Sequence, residues 1–278
     1  MKLLGKDVVE SVCEQTRENA EDLRAKHIVP TLVIVKSQDS EDVNSYINQK
    51  VKKGTELGVN VKVVEYPANV LADKSLLTAE VLKLNADKNI HGILFQKPSH
   101  PNVNDTVEQL VDPAKDVDGF LPDSPHKPPV YLAVMRFLKR IYQKEYPEVL
   151  QSKSFVIIGK GKTGGGPIID GLKKDGINSV HVIDSKTAPE DRTKYLKFAS
   201  VIVSAVGVHN PVDPALIPEQ SIVIDFGVHF EDGKIQPDFL EHDIQERAAY
   251  YTTTPGGVGV LTVAYLMDNV VNAARVLS

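Results

Sequence analysis

The sequence predicts an α/β fold in two lobes with largely parallel sheets. Three observations carry this. Apolar periodicity switches between helical and strand spacing along all 278 residues. The strand-like runs are short and wholly apolar, as suits a sheet covered on both faces. Finally, Leu121–Pro129 holds four prolines in nine residues, a break between two such alternations.

Taken in order, Val9, Val12, Cys13, Ala20 and Leu23 recur at helical spacing, and Thr31–Val35 reads as the first strand. A helix Asp42–Leu57, a strand Val59–Tyr66, a helix Ser75–Leu84 and a strand Gly92–Gln96 follow, and Asn102–Leu110 reads as a short helix. After the prolines Tyr131–Tyr142 is helical, and the alternation restarts with strand Phe155–Ile158, a glycine-rich turn and a helix from Pro167. Strands Val180–Ile183, Val201–Val206 and Ile222–Asp225 come next, and Val260–Val276 closes the chain as a long helix. The expected domains are residues 1–125 and 126–278, with helix 260–278 able to pack back on the first. No internal repeat is present.

Composition narrows the class. Hydrophobic residues at 42% and charged residues at 25% are ordinary for a folded soluble chain, which excludes disorder and collagen-like repeats. A formal charge of −5 and a pI near 5.9 argue against a protein that neutralises a nucleic-acid backbone. No apolar stretch approaches the roughly 20 residues of a membrane span. The N-terminus lacks the apolar core of a signal peptide. A lone cysteine, Cys13, fits a reducing compartment, so a cytoplasmic protein is expected.

Chemistry enters at the glycine-rich turn. Gly159, Gly161 and Gly164 give G-x-G-x-x-G spacing after an apolar strand and before a helix. Glycines there permit a tight turn and let backbone N–H groups approach a pyrophosphate at the positive helix end. The second lobe therefore reads as Rossmann-like and dinucleotide-binding; the bland alternative is a flexible turn that binds nothing. Asp184 ends the next strand, 25 positions past Gly159, and taken alone favours NAD through the ribose hydroxyls. Lys160, Ser185 and Lys186 pull towards the 2′-phosphate of NADP. The sequence leaves that choice open.

A second signal is a lysine on an apolar stripe. Val43, Tyr46, Ile47, Val51, Gly54 and Leu57 form the stripe, and Lys50 falls on it, one turn after Tyr46. A partly desolvated ammonium has a lowered pKa and exchanges protons near neutrality; the alternative is a lysine snorkelling from the helix rim. Gln96 ends an apolar strand, where ligands of parallel sheets gather. Lys115-Asp116-Val117-Asp118-Gly119 reads as either a solvated turn or a charged site element. Thr254–Gly259 offers bare backbone for a flat ligand, or is a plain loop before a helix.

With these residues in hand, the chain resembles the methylenetetrahydrofolate dehydrogenase/cyclohydrolase family along almost its whole length. The matches are Tyr46-x-x-x-Lys50, Gly92–Pro98, Lys115–Gly119, Gly159–Pro167, Val223–Gly227 and Thr254–Gly259 with Thr262. The resemblance implies a folate site in the cleft between the lobes, facing a nicotinamide, with the N-terminal lobe catalytic. Lys50 would be the general acid/base of the cyclohydrolase step and Gln96 would keep it partly neutral. Tyr46 would stack on the aminobenzoyl ring and Asp118 would bind the pterin edge, completing the catalytic set. Pro98, Pro255, Gly256 and Gly257 would add substrate contacts. Gly159, Lys160, Gly161, Gly164, Gly165, Asp184, Ser185, Lys186, Val206 and Gly207 would hold NADP, the family default, or NAD. The resemblance further implies a metal-free reaction in one-carbon metabolism that supplies purine biosynthesis, and a homodimer without nucleic-acid or membrane partners.

The chain also departs from the family. Gln96-Lys97-Pro98-Ser99-His100 stands where Gln-Leu-Pro-Leu-Pro is usual, Leu121–Pro129 replaces a longer segment, and Lys160-Gly161 and Asp184-Ser185 replace Arg-Ser and His-Ser. Val260-Leu261 stands for the usual Pro-Met. Two other readings follow from these changes. One is a divergent NAD(P)-dependent oxidoreductase for another small imine or carbonyl compound. The other is a non-catalytic folate- or nucleotide-binding protein.

Overall fold

The structure is a computed structural model that describes residues 1–103, 105–231 and 234–278. In chain order it runs β1 (Lys2–Leu3), α1 (Lys6–Ala25), β2 (Thr31–Lys36), α2 (Glu41–Glu56), β3 (Asn60–Glu65), α3 (Ala68–Ala72), α4 (Lys74–Ala86), β4 (Gly92–Phe95) and α5 (Asp105–Glu108). It continues with α6 (Pro129–Tyr142), β5 (Phe155–Ile158), α7 (Gly165–Lys174), β6 (Val180–Ile183), α8 (Pro189–Lys197), β7 (Val201–Ser204) and β8 (Ile222–Asp225). The last elements are β9 (Val228–Glu231), β10 (Lys234–Pro237), α9 (Glu241–Ile244), β11 (Tyr250–Thr252) and α10 (Val258–Leu277). The short helix expected over Asn102–Leu110 is confined to α5, and Asn104 lies outside the described residues.

Contacts divide the chain into two units, one of residues 1–10 and 130–262, the other of residues 11–129 and 263–278. The expected division after residue 125 assigns the first ten residues differently. The reason is a strand too short for periodicity to reveal: Lys2 and Leu3 pair in parallel with Tyr251 and Thr252 of β11.

In the 11–129/263–278 unit, β2 is the middle strand of a three-stranded parallel sheet, flanked by β3 and β4. Its side chains alternate between two faces. Val33 and Val35, with Ile93 and Phe95 of β4, pack against Leu77 and Val81 of α4 and against Val103 and Val107. Leu32, Ile34 and Leu94 are equally buried. On α2, any side chain at Gly54 would collide with Val61 and come within 3.4 Å of Met267 Sδ on α10, so the helix lies close to β3 and α10. Ser40 caps α2 by accepting from Val43 N–H (3.3 Å), with Glu41 and Asp42 at the positive end of the helix. Gly58, at φ +79°, turns the chain out of it.

The 1–10/130–262 unit is built on a six-stranded sheet in the order β1-β11-β8-β7-β5-β6, every pair parallel. One layer of its core gathers Val156, Ile158, Ile202, Val223, Phe239 and Tyr251. The chain passes from β5 to β6 on one side and then returns to β7 on the other. That reversal is the switch point at which doubly wound sheets bind ligands.

Two expectations need correction. Helix α8 is absent from the sequence reading because only Leu196 of it is buried, which leaves no apolar stripe to detect. Conversely, α10 is long and apolar enough to cross a membrane by length and composition, although no such stretch is apparent in the sequence reading. Half of it is buried within the protein, with Leu261, Leu266, Met267, Val270 and Val271 in the core.

Candidate active site and nucleotide-binding turn

Helix α2 and the end of β4 bring together the polar residues singled out in the first half of the chain. Lys50 lies partly buried on α2 and its Nζ donates to Gln96 Oε1 at 2.7 Å. Gln96 is 6% exposed; its Nε2 donates to Lys97 O (2.7 Å) and its backbone N–H to Val35 O (3.0 Å), so the amide oxygen is aimed at the lysine. Burial pushes the Lys50 pKa down, and the nearby Asp118 carboxylate partly opposes the shift. Asp118 is in turn pushed up to about 7 by burial, with Lys50 pulling it down and Asp116 and Glu108 pushing it further up. Lysine and carboxylate thus approach each other in proton affinity, as acid–base chemistry near neutrality requires. Tyr46 is half-buried one turn before Lys50, and Pro98 is exposed beyond Gln96.

The Lys115–Gly119 segment is no solvated turn. Lys115 is 4% exposed, and its Nζ donates to the carbonyls of Leu84 (3.2 Å), Asn85 (2.7 Å) and Asp87 (2.7 Å) at the C-terminal end of α4. Asp116 accepts from Leu121 N–H (2.8 Å), while Asn269 Nδ2 on α10 donates to Val117 O (2.8 Å) and Lys127 O (3.0 Å). The backbone leading into Asp118 is therefore tethered twice, at Asp116 and at Val117. Lys97, which departs from the family pattern, pairs with Glu108 and donates to Ser99 Oγ at 3.2 Å.

In the other unit the glycine-rich turn leaves β5 at the switch point. Gly159 has φ +94°, and a Cβ there would lie 2.6 Å from Val206 Cγ1 and 2.9 Å from Ala205 O, so no other residue fits. A Cβ at Gly165 would collide with the Gly159 carbonyl oxygen. Gly161 has open space around it. The close helix–strand approach thus falls on Gly165, one residue past the G-x-G-x-x-G spacing. Gly207 (φ +68°) turns the chain at the end of β7, with a Cβ position 2.5 Å from Val228 O. This bare-backbone cradle at the start of a ten-residue helix fits a dinucleotide pyrophosphate. At the end of β6, Asp184 Oδ2 pairs with Lys160 Nζ at 2.6 Å, and Ser185 and Lys186 beside it are exposed.

Comparison with known proteins agrees with both halves. Residues 3–118 match the catalytic domain of tetrahydrofolate dehydrogenase/cyclohydrolase, and residues 128–277 match its NAD(P)-binding domain. The chain belongs to this family. A bifunctional protein FolD of Campylobacter jejuni is 31% identical over 98% of this chain and 97% of its own length. The crystal structure of the Campylobacter jejuni bifunctional enzyme superposes with a TM-score of 0.89 at 30% identity, covering 99% of this chain and 98% of that one. The Trypanosoma brucei enzyme, complexed with NADP cofactor and inhibitor, gives 0.87 at 27% identity, covering 99% and 97%.

The chain also contains polar residues to which the sequence alone assigns no role. Asp238 is fully buried after β10 and takes Ser204 Oγ (2.5 Å), Val206 N–H (3.1 Å) and Val208 N–H (2.9 Å), so it clamps the loop after β7. Asp225 beside it accepts from Phe239 N–H (2.9 Å) and is pushed up to about 8, first by burial and further by Asp238. Gly5 braces the Pro255–Gly257 loop: its N–H donates to Gly256 O at 2.7 Å, and a Cβ there would lie 2.5 Å from Gly257 O. Pro255 and Gly256 are exposed and Gly257 is buried. No period-2 or period-3.6 pattern reports such contacts, because each joins residues far apart in sequence. The one available signal is an aspartate closing an apolar strand, as Asp225 does.

Proposed function

We propose that this protein oxidises 5,10-methylenetetrahydrofolate to 5,10-methenyltetrahydrofolate with NAD(P)+ and hydrolyses the product to 10-formyltetrahydrofolate, in one-carbon metabolism. The observation that supports the assignment of roles is the Lys50–Gln96 hydrogen bond beside the Asp118 carboxyl. A nicotinamide nucleotide held at the Gly159–Gly165 turn would supply the hydride acceptor for the methylene carbon. Lys50, with its ammonium destabilised by burial, takes a proton from the water that adds to the methenyl carbon. The carbon–N5 bond then breaks and N5 gains a proton, so one proton is released overall. Gln96 orients the amine, Asp118 holds the pterin edge and Tyr46 stacks on the aminobenzoyl ring. Pro98 and the Pro255–Gly257 loop add substrate contacts.

In this reading Gly159, Lys160, Gly161, Gly164, Gly165, Asp184, Ser185, Lys186, Val206 and Gly207 hold the dinucleotide. Folate chemistry belongs to the 1–125 segment and nucleotide binding to the 126–278 segment. A cytoplasmic homodimer supplying purine biosynthesis, without nucleic-acid or membrane partners, completes the proposal. The test is turnover of 5,10-methylenetetrahydrofolate with each nucleotide, followed by the absorbance of the methenyl product and of reduced cofactor. Lys50→Met is expected to abolish hydrolysis while folate binding stays measurable. Hydrolysis that survives the substitution removes the role given to Lys50.

A further inference from the structure

Lys160 and Asp184 stand where the two nucleotides differ. Resting on the function proposed above, we infer that the Lys160–Asp184 ion pair makes this enzyme select NAD over NADP. The pair sits at the carboxyl ends of β5 and β6, neighbours in the parallel sheet, beside the Gly159 turn. In sheets of this construction the residue ending the second strand faces the adenosine ribose.

Three features make Asp184 a fixed anion. Its Oδ2 holds Lys160 Nζ at 2.6 Å, and its Oδ1 accepts Lys186 N–H at 2.8 Å and Thr187 Oγ1 at 3.2 Å. Arg192 braces the same turn from behind, donating to Asp184 O (3.0 Å), Thr187 O (2.9 Å) and Pro211 O (3.5 Å). Its guanidinium is therefore committed to carbonyls and not available to a phosphate. The lysine holds the Asp184 carboxyl down at about 2, so it does not protonate to accommodate a second anion.

Consider the two ligands against this arrangement. The ribose hydroxyls of NAD donate to Asp184, and Lys160 keeps its partner. The 2′-phosphate of NADP brings up to two negative charges beside a carboxylate, and attracts Lys160 only by taking it from Asp184. The lysine that suggests NADP in the sequence is thus neutralised in the structure.

The experiment is a calorimetric titration of the purified enzyme with NADH and with NADPH, alongside kcat/KM for NAD and NADP. NADH is expected to bind tighter by roughly 10- to 100-fold, the range of a charge-assisted hydrogen bond gained or lost. Asp184→Asn keeps an acceptor for Lys186 and Thr187 yet removes the charge. It is expected to weaken NADH binding and strengthen NADPH binding, narrowing the ratio at least about tenfold. Asp184→Ser, which frees Lys160 fully, is expected to go further in the same direction. Equal binding, or tighter NADPH binding, by the unaltered enzyme overturns the inference while folate turnover still supports the function. A preference for NADH that both variants leave unchanged overturns it too. Absence of folate turnover with either nucleotide overturns the function itself.

Discussion

Lys50 owes its character to its surroundings. A solvated lysine stays charged far above neutrality; here burial lowers the pKa and Asp118 restores part of the loss. The sign of a substitution follows. In the role proposed for Lys50 hydrolysis needs the neutral amine, so kcat is expected to rise with pH through the lysine pKa. Asp118→Asn removes the charge that favours the ammonium, the pKa falls further, and the rising limb of the kcat profile moves to lower pH, while folate KM increases. A pH series on the methenyl substrate checks this, and an unmoved or upward-moved limb shows that Lys50 is not the titrating group. Lys50 was readable from sequence because a cation on an apolar stripe violates helical patterning. Gln96 was readable because it ends an apolar strand. Asp238 was not, since its importance lies in three donors at positions 204, 206 and 208, more than 29 residues away along the chain.

Between residues and fold lies the turn from β5 into α7. Strand, glycines and helix were all visible in sequence, but the spacing alone does not say which glycine is indispensable. The structure separates them: Gly165 meets the Gly159 carbonyl, whereas Gly161 meets nothing within 4 Å. Gly165→Ala is expected to force β5 and α7 apart, lowering the thermal midpoint and abolishing nucleotide binding. Gly161→Ala is expected to leave the midpoint within about 1 °C, as for surface changes that touch no special feature. Calorimetric melting of both variants decides the matter, and equal melting would show that close packing is not the role of Gly165. The same logic explains α8 and β11, which were missed. One buries a single side chain and the other is three residues long, so neither prints a period on the sequence.

The larger architecture was mostly readable, since alternating apolar runs suffice to predict parallel α/β layers. The assignment of chain segments to units was not. The three-stranded unit takes its last piece from residues 263–278, where Met267, Asn269 and Val270 reach Gly54, the Val117 carbonyl and Gly92. A chain ending at Thr262 is expected to lose this layer and, with Asn269, the tether on the Val117 carbonyl next to Asp118. Limited proteolysis should then cleave within residues 11–129 much faster than in the full chain, and unchanged resistance would show that the final helix is dispensable.

The interleaving has a consequence for biogenesis. The six-stranded sheet takes its edge strand from Lys2 and Leu3 and the partner β11 from residues near 250. The other unit is incomplete until residues 263–278 join it. Synthesis in the direction of the chain therefore completes the six-stranded unit, at Thr262, before the other, whose layer from residues 263–278 comes last.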